Sequence, residues 1–422
     1  MKRMIINGNK KLNGTIRISG AKNSAVAIIP AAILTETEAT ICNVPEISDI
    51  ESLEEILKFL DVDVKRATET IVINTKKMKN KVIPAEISNK LRASYYFMGA
   101  LLAKYKKVEM HFPGGCKIGK RPINLHLEGF KKLGATIEED GDKYIITADK
   151  LIGSNIYLDV ASVGATINLM IAATKAEGLT TIENAAREPE IVNVATFLNN
   201  MGADITGAGT SIIKIKGVEH LTKGFTEIIP DRIEAGTYTI MGALLGEDLK
   251  VSNIIPEHIE SLTSKLEAAG ANIKIEDDTL TCNQVKKLNA VNIKTYYYPG
   301  FATDLQQPFS VFLTQCSGKS KVEETIYENR FMHIEYLNKM GANITTKDRI
   351  ATINGPTPLK GEDVVATDLR AGAALVIAGL IAEGTTVIEE VEHILRGYEG
   401  IIEKLTNVGA DIKIEENPCQ NE

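Results

Sequence analysis

The stretch Ile259-Glu260-Ser261-Leu262-Thr263-Ser264-Lys265-Leu266-Glu267-Ala268-Ala269-Gly270-Ala271-Asn272-Ile273-Lys274-Ile275 changes its period halfway. Up to Ala269 the apolar residues Ile259, Leu262 and Leu266 recur at helical spacing. Beyond Gly270-Ala271, Ile273 and Ile275 alternate with Asn272 and Lys274, the two-residue period of a strand with one buried face. The stretch reads as an amphipathic helix that stops at glycine and hands the chain to a strand. The same Gly-Ala closure recurs at Gly134, Gly202, Gly341 and Gly409, at intervals of about 70 residues. Leu60-Asp61-Val62-Asp63 stands one interval before Gly134 and reads as a degenerate first copy. Six repeats of this kind fill nearly the whole chain.

Each repeat opens with an apolar helix, expected over 24–34, 91–103, 164–176, 235–245, 305–315 and 371–382. A turn such as Glu177-Gly178 or Glu383-Gly384 follows, where glycine is expected to supply the left-handed C-cap. Next come a short β-branched strand, as in Thr180-Thr181-Ile182-Glu183 or Thr385-Thr386-Val387-Ile388, and the amphipathic helix. The opening helices are apolar nearly all round, so they belong inside, with the sheets outside them. No repeat alone holds enough core, and 422 residues exceed the roughly 250–300 at which one core stops growing. The expected fold class is α/β, with the six repeats grouped as three plus three.

Composition narrows the function. Hydrophobic residues are 44% and charged residues 24% of the chain, the ordinary globular range. A net charge of −7 argues against a nucleic-acid partner, though not against a local cluster of cations that focuses a small anion. Five cysteines and six histidines are scattered without metal-ligand spacing, so neither a metal site nor a cofactor is expected. Met1-Lys2-Arg3-Met4 runs into Ile5-Ile6-Asn7-Gly8 with no apolar targeting segment, and the apolar run 371–382 is short of the roughly 20 residues that span a bilayer. A cytoplasmic protein without membrane insertion is expected.

The repeat is broken once, by Phe112-Pro113-Gly114-Gly115-Cys116-Lys117-Ile118-Gly119-Lys120-Arg121-Pro122. The segment nearly spells a phosphate-binding loop, but Arg121 stands where a hydroxyl must reach magnesium, which argues against nucleotide hydrolysis. Cys116 lies among Lys117, Lys120 and Arg121, an electropositive setting that favours a thiolate. Lys22-Asn23 opens the first apolar helix, where a lysine is either exposed or aimed at an anion. Asp304 in Phe301-Ala302-Thr303-Asp304 and Arg370 in Thr367-Asp368-Leu369-Arg370 stand at the starts of their helices, as ordinary first-turn residues or as parts of a site. Asn caps about as well as Asp, so Asp304→Asn is expected to leave the melting temperature almost unchanged.

Further motifs run in order along the chain: Ser19-Gly20-Ala21-Lys22-Asn23-Ser24, Leu91-Arg92-Ala93-Ser94, Ser162-Val163-Gly164-Ala165-Thr166, Ala185-Ala186-Arg187-Glu188-Pro189-Glu190, Pro230-Asp231-Arg232, Pro299-Gly300-Phe301 with Thr303-Asp304, Glu328-Asn329-Arg330-Phe331-Met332-His333, Asp368-Leu369-Arg370 and Arg396-Gly397-Tyr398. With the Cys116 loop, they make the chain resemble the enolpyruvyl transferases over essentially its full length, in the branch that acts on UDP-N-acetylglucosamine.

The resemblance implies two inside-out α/β barrels, one from residues 1–20 and 230–422 and one from 21–229 carrying the loop 112–122, with the substrates in the cleft between them. It implies transfer of the enolpyruvyl group of phosphoenolpyruvate to the 3-hydroxyl of UDP-N-acetylglucosamine with release of phosphate, the first committed step of peptidoglycan synthesis. Lys22, Asn23, Arg121, Arg370 and Arg396 match the family positions around phosphoenolpyruvate. Arg92, Arg121, Pro122, Ile123, Asn124, Leu125, Ser162, Val163, Asp304 and Ile326 match those that hold the UDP-sugar. Cys116 matches the proton donor that forms a covalent phosphoenolpyruvate adduct and is alkylated by fosfomycin, and Asp304 matches the base for the sugar hydroxyl. Asn124 and Val160 depart from the Asp and Lys that other members carry there, which bears on UDP-sugar affinity. The sister enzyme acting on shikimate 3-phosphate is the nearest rival, and Cys116 speaks against it.

Overall fold

The computed structural model describes residues 2–111 and 123–416. The chain divides into two compact units, residues 20–111 with 123–229 and residues 2–19 with 230–416, each around its own hydrophobic core.

The 20–229 unit is built on three helices, Lys22–Ala31, Tyr96–Tyr105 and Val163–Ala173, buried along 24–31, 96–103 and 165–173. Helices apolar on every side have no solvent face to present, so they occupy the interior. Gly99 shows how tightly they pack. Its N–H donates to Asn168 Oδ1 at 2.9 Å, and a Cβ there would lie 2.3 Å from the same oxygen. The amphipathic helices Ser48–Phe59, Asn124–Lys132 and Pro189–Asn200 and three sheets, two mixed and one antiparallel, surround them. The 2–19 and 230–416 unit repeats the plan with inner helices Arg232–Leu245, Thr303–Thr314 and Leu369–Ile381 and three more sheets.

The helix-to-strand closure is the same six times. Gly270 N–H donates to the Glu267 carbonyl at 2.8 Å and Ala271 N–H to that of Leu266 at 2.9 Å, the paired bonds of a helix ended by a left-handed residue. Gly134, Gly202, Gly341 and Gly409 make the same pair with the residues after them. In the first repeat Asp61 holds φ +60° and makes the equivalent bond to Lys58, while Val62 bonds Leu57. A left-handed backbone is costly for most L-residues but open to Asp, and Lys79 and Lys81 at 3.1 and 2.7 Å hold this one.

Three details differ from the sequence expectation. Gly178 and Gly384 are left-handed, both at φ +92°, but they are not helix caps. Their helices end earlier, at Ala173 and Ile381, because Glu177 and Glu383 must first pair with Ile152 and Lys360 in isolated parallel bridges. The helix expected over 91–103 is split, with a 3-10 turn at Arg92–Tyr95 before Tyr96–Tyr105. The N-terminal residues, featureless as sequence, are two strands: Lys2–Asn7 lies between Thr385–Glu389 and Asp411–Glu416, and Leu12–Arg17 pairs in parallel with Gly246–Ser252. In the sheets of the other repeats the strand in the position of Lys2–Asn7 comes from the same repeat, so here the chain start completes the last repeat.

Candidate active site

The two units open their inner helices differently. In the 20–229 unit no acidic residue occupies the first turn of the inner helices or of the 3-10 turn. Lys22 is the first residue of its helix, behind Ala21, which has no side-chain acceptor to offer as a cap. Its ammonium lies 2.7 Å from Asp49, a buried carboxylate in the first turn of Ser48–Phe59. Asn23 is half-buried beside it. Arg92 opens the 3-10 turn, against which the Lys22 helix packs. Ser162 caps Val163–Ala173, its Oγ accepting the Ala165 N–H at 3.2 Å, and Val163 is the first helical residue. Ile123 and Leu125 are half-buried around Asn124, which is exposed and opens Asn124–Lys132; Val160 is exposed too. Helix N-termini with free N–H groups and cations are what phosphate groups take.

A buried histidine stands behind the Arg92 turn. His126 Nδ1 accepts from the Asn168 amide at 3.0 Å, and the Tyr95 ring meets its edge at 4.8 Å. Burial, with the Arg92 charge adding to it, pushes the imidazole down to about 3, so His126 is a neutral wall of this face.

The other unit gathers a carboxylate between two guanidiniums. Asp304 is the second residue of Thr303–Thr314, and the helix has no side-chain cap, so the capping reading does not hold. Its Oδ1 lies 2.6 Å from Arg330 Nη2, and its Oδ2 accepts from Arg370 Nη2 at 3.2 Å and Nε at 3.3 Å. Both arginines are nearly fully buried, whereas the Asp304 side chain is 26% exposed. Arg370 stands over the Tyr398 ring at 5.4 Å, and Arg396 follows the short helix Glu392–Leu395, half-buried. Ile326 is half-buried, its N–H donating to Glu324. Cys116, Arg121, Pro122 and the rest of the 112–122 loop lie outside the described residues.

Two partners were not anticipated from sequence. Asp49 carries no local motif and lies far from Lys22 along the chain. Arg330 sits inside the quoted stretch Glu328-Asn329-Arg330, but the sequence alone does not say that it is buried against Asp304. Among the described thiols, Cys282 and Cys316 are buried and pushed up to about 12 by that burial, which leaves them unreactive near neutral pH.

Known proteins resemble this chain along almost its whole length. The family model described as EPSP synthase (3-phosphoshikimate 1-carboxyvinyltransferase) matches residues 6–405. The chain is 52% identical over 410 residues to UDP-N-acetylglucosamine 1-carboxyvinyltransferase 2 of Listeria monocytogenes, covering 97% of each protein. It is 51% identical over 413 residues to the protein of the same name from Bacillus anthracis, covering 98% of this chain and 96% of that one. Among solved structures, the enolpyruvyl transferase NikO from Streptomyces tendae superposes with a TM-score of 0.90 at 26% identity, over 99% of both chains. EPSP synthase of Acinetobacter baumannii shares the fold alone, with a TM-score of 0.76 at 18% identity over 98% of this chain and 100% of that one. Full-length likeness in sequence and in the inside-out architecture leads to one conclusion: the chain belongs to the enolpyruvyl transferase family.

Proposed function

We propose that this protein transfers the enolpyruvyl group of phosphoenolpyruvate to the 3-hydroxyl of UDP-N-acetylglucosamine and releases phosphate, the first committed step of peptidoglycan synthesis. One observation carries the choice of acceptor: identity above half, along almost the entire chain, to proteins named for UDP-N-acetylglucosamine. The family model is named for a 3-phosphoshikimate acceptor, but the EPSP synthase of known structure shares only 18% identity with this chain. No described helix is long and apolar enough to cross a membrane, which is compatible with a cytoplasmic reaction on soluble substrates.

In this reading Asp304 takes the proton of the acceptor hydroxyl while its oxygen attacks C2 of phosphoenolpyruvate, and Cys116 delivers a proton to C3. The tetrahedral adduct then loses the C3 proton and its phosphate, restoring the double bond. Lys22, Asn23, Arg121 and Arg396 bind the phosphate and carboxylate of phosphoenolpyruvate, charge-assisted contacts for which arginine forks are suited. Arg370 belongs to the same subsite and also steadies Asp304. Arg92, Arg121, Pro122, Ile123, Asn124, Leu125, Ser162, Val163 and Ile326 hold the UDP-sugar, with the free N–H groups of the inner helices available to its diphosphate.

Phosphate release measured with phosphoenolpyruvate and each acceptor in turn tests the proposal. Release is expected with UDP-N-acetylglucosamine and not with shikimate 3-phosphate, and the reverse result overturns it. Fosfomycin is expected to add once, with the adduct lost in Cys116→Ser. An adduct retained in that variant, read by intact mass, removes Cys116 from its role.

A further inference from the structure

We propose that Glu324, which no reading above uses, is a positioning residue that ties the acceptor-binding segment to the base Asp304; this role rests on the proposed reaction. Glu324 is buried, with 1% of its surface exposed, and both of its oxygens are engaged. Oε1 accepts the backbone N–H groups of Ile326 and Tyr327 at 2.8 and 3.1 Å and the Thr295 hydroxyl at 3.0 Å. Oε2 accepts the Thr303 hydroxyl at 2.9 Å. Thr303 Oγ1 in turn accepts from Arg330 Nη1 at 2.8 Å, and Arg330 Nη2 holds Asp304 Oδ1 at 2.6 Å. The Arg330 guanidinium also lies 5.0 Å from the centre of the Tyr327 ring.

One buried carboxylate therefore sets two things at once. It shapes the turn at Ile326 and Tyr327, where the sugar is expected to lie. Through one hydroxyl it also orients the guanidinium that aims Asp304. The hydroxyl has a single proton, so its direction is decided by who accepts it. An acceptor at Oε2 takes that proton and turns a lone pair to Arg330, whereas a donor there would compete with Arg330 and leave the hydroxyl proton without its acceptor. A carboxylate meets that demand, while the amide nitrogen of Gln donates instead. Threonine is needed for its hydroxyl alone, since its position at the helix start makes no capping bond. The chain of bonds couples acceptor binding to base alignment without Glu324 touching either reacting atom.

The test measures kcat, the two KM values and the melting temperature of full-length wild type, Glu324→Gln, Thr303→Val, Thr303→Ser and the Gln/Val double variant, by phosphate release. Glu324→Gln keeps an acceptor for Ile326 and Tyr327 but spoils the Thr303 link. It is expected to lower kcat about ten- to a hundredfold, the range for a misaligned catalytic group, with KM for phosphoenolpyruvate within about twofold. Thr303→Val should match it, Thr303→Ser should recover most of that loss, and the double variant should be no worse than either single one, as for members of one network. If Glu324→Gln does not fold, the Thr303 pair decides alone. A kcat within about twofold of wild type, losses that multiply in the double variant, or a Thr303→Ser as slow as Thr303→Val would each overturn the role. A wild type that releases no phosphate from the two substrates overturns the functional reading, and this role with it. An active wild type with indifferent variants overturns the role only.

Discussion

The inner helices of the two units share one architecture and differ in the acidic residues at their starts. In the 20–229 unit Lys22 opens its helix and Arg92 the 3-10 turn ahead of Tyr96–Tyr105, with no acidic residue in the first turns. Asp231 and Asp368 cap theirs in the other unit, each accepting two backbone N–H bonds, and Asp304 lies in the first turn of the third. A helix N-terminus carries partial positive charge, so an anion there is stabilising and a cation unfavourable, by roughly 0.3–1 kcal/mol each. The second unit satisfies its helix starts from within. The first has no acid of its own in those turns: Lys22 meets Asp49 of a neighbouring helix, and the Ser162 hydroxyl caps Val163–Ala173. The same fold thus carries acids at the starts of its inner helices in one half and none there in the other.

Asp304→Asn breaks the contrast hardest. As a base, its loss should lower turnover by at least about a hundredfold. The structure adds a cost that the comparison of Asn and Asp as caps leaves out. Asn keeps the shape but leaves two buried guanidiniums without their shared counter-charge, which should cost about 1–3 kcal/mol, discounted for the partial exposure of Asp304. Kinetics and thermal unfolding of the variant check both parts; near wild-type turnover would return Asp304 to a purely structural role.

Lys22→Gln sharpens the contrast from the other side. Losing one charge-assisted contact should weaken phosphoenolpyruvate roughly ten- to a hundredfold, and UDP-N-acetylglucosamine much less. Equal weakening of both, measured by titration calorimetry, would mean that the ammonium serves only Asp49.

The smallest effect concerns Glu234, in the first turn of Arg232–Leu245. It accepts the Ser19 N–H at 2.9 Å and meets Lys404 at 2.6 Å. Burial pushes its carboxyl up to about 7, against the pull of Lys404. A folded state that holds this proton more tightly than the unfolded chain is favoured while the proton is on. The contribution is complete below the ordinary carboxylate range and is lost as pH rises through about 7. Glu234→Gln does not titrate, so from about pH 5.5 to about pH 8.5 its stability relative to wild type should rise by about 1–3 kcal/mol, a few degrees in melting temperature. A gap independent of pH would show that Glu234 keeps one charge state throughout.

Much of this was legible because it is local. Period changes at Gly-Ala mark where helix gives way to strand, and the hydrogen bonds that close the helices involve residues at most five apart. The inner helices announced their burial because apolar residues lie on nearly every side of them. Glu177-Gly178 was misread because glycine alone does not say whether it ends a helix or feeds a strand. The capping argument for Asp304→Asn left out Arg330, which lies later in the same repeat, and Arg370, which comes from the next one.

The sequence by itself determined the repeat, the inside position of its apolar helices and the residue types that could meet anions, since each is written in spacing and polarity within one repeat. Tertiary structure alone decided that the first strand, Lys2–Asn7, completes the last repeat between Thr385–Glu389 and Asp411–Glu416, and that Lys22 rests on Asp49 and Asp304 on Arg330 and Arg370. A strand edge accepts any chain of suitable alternation, and a buried charge needs a partner from wherever the fold brings one. Which segment answers is settled by the packing of the whole unit, because short-range propensity carries no address for a partner tens to hundreds of residues away.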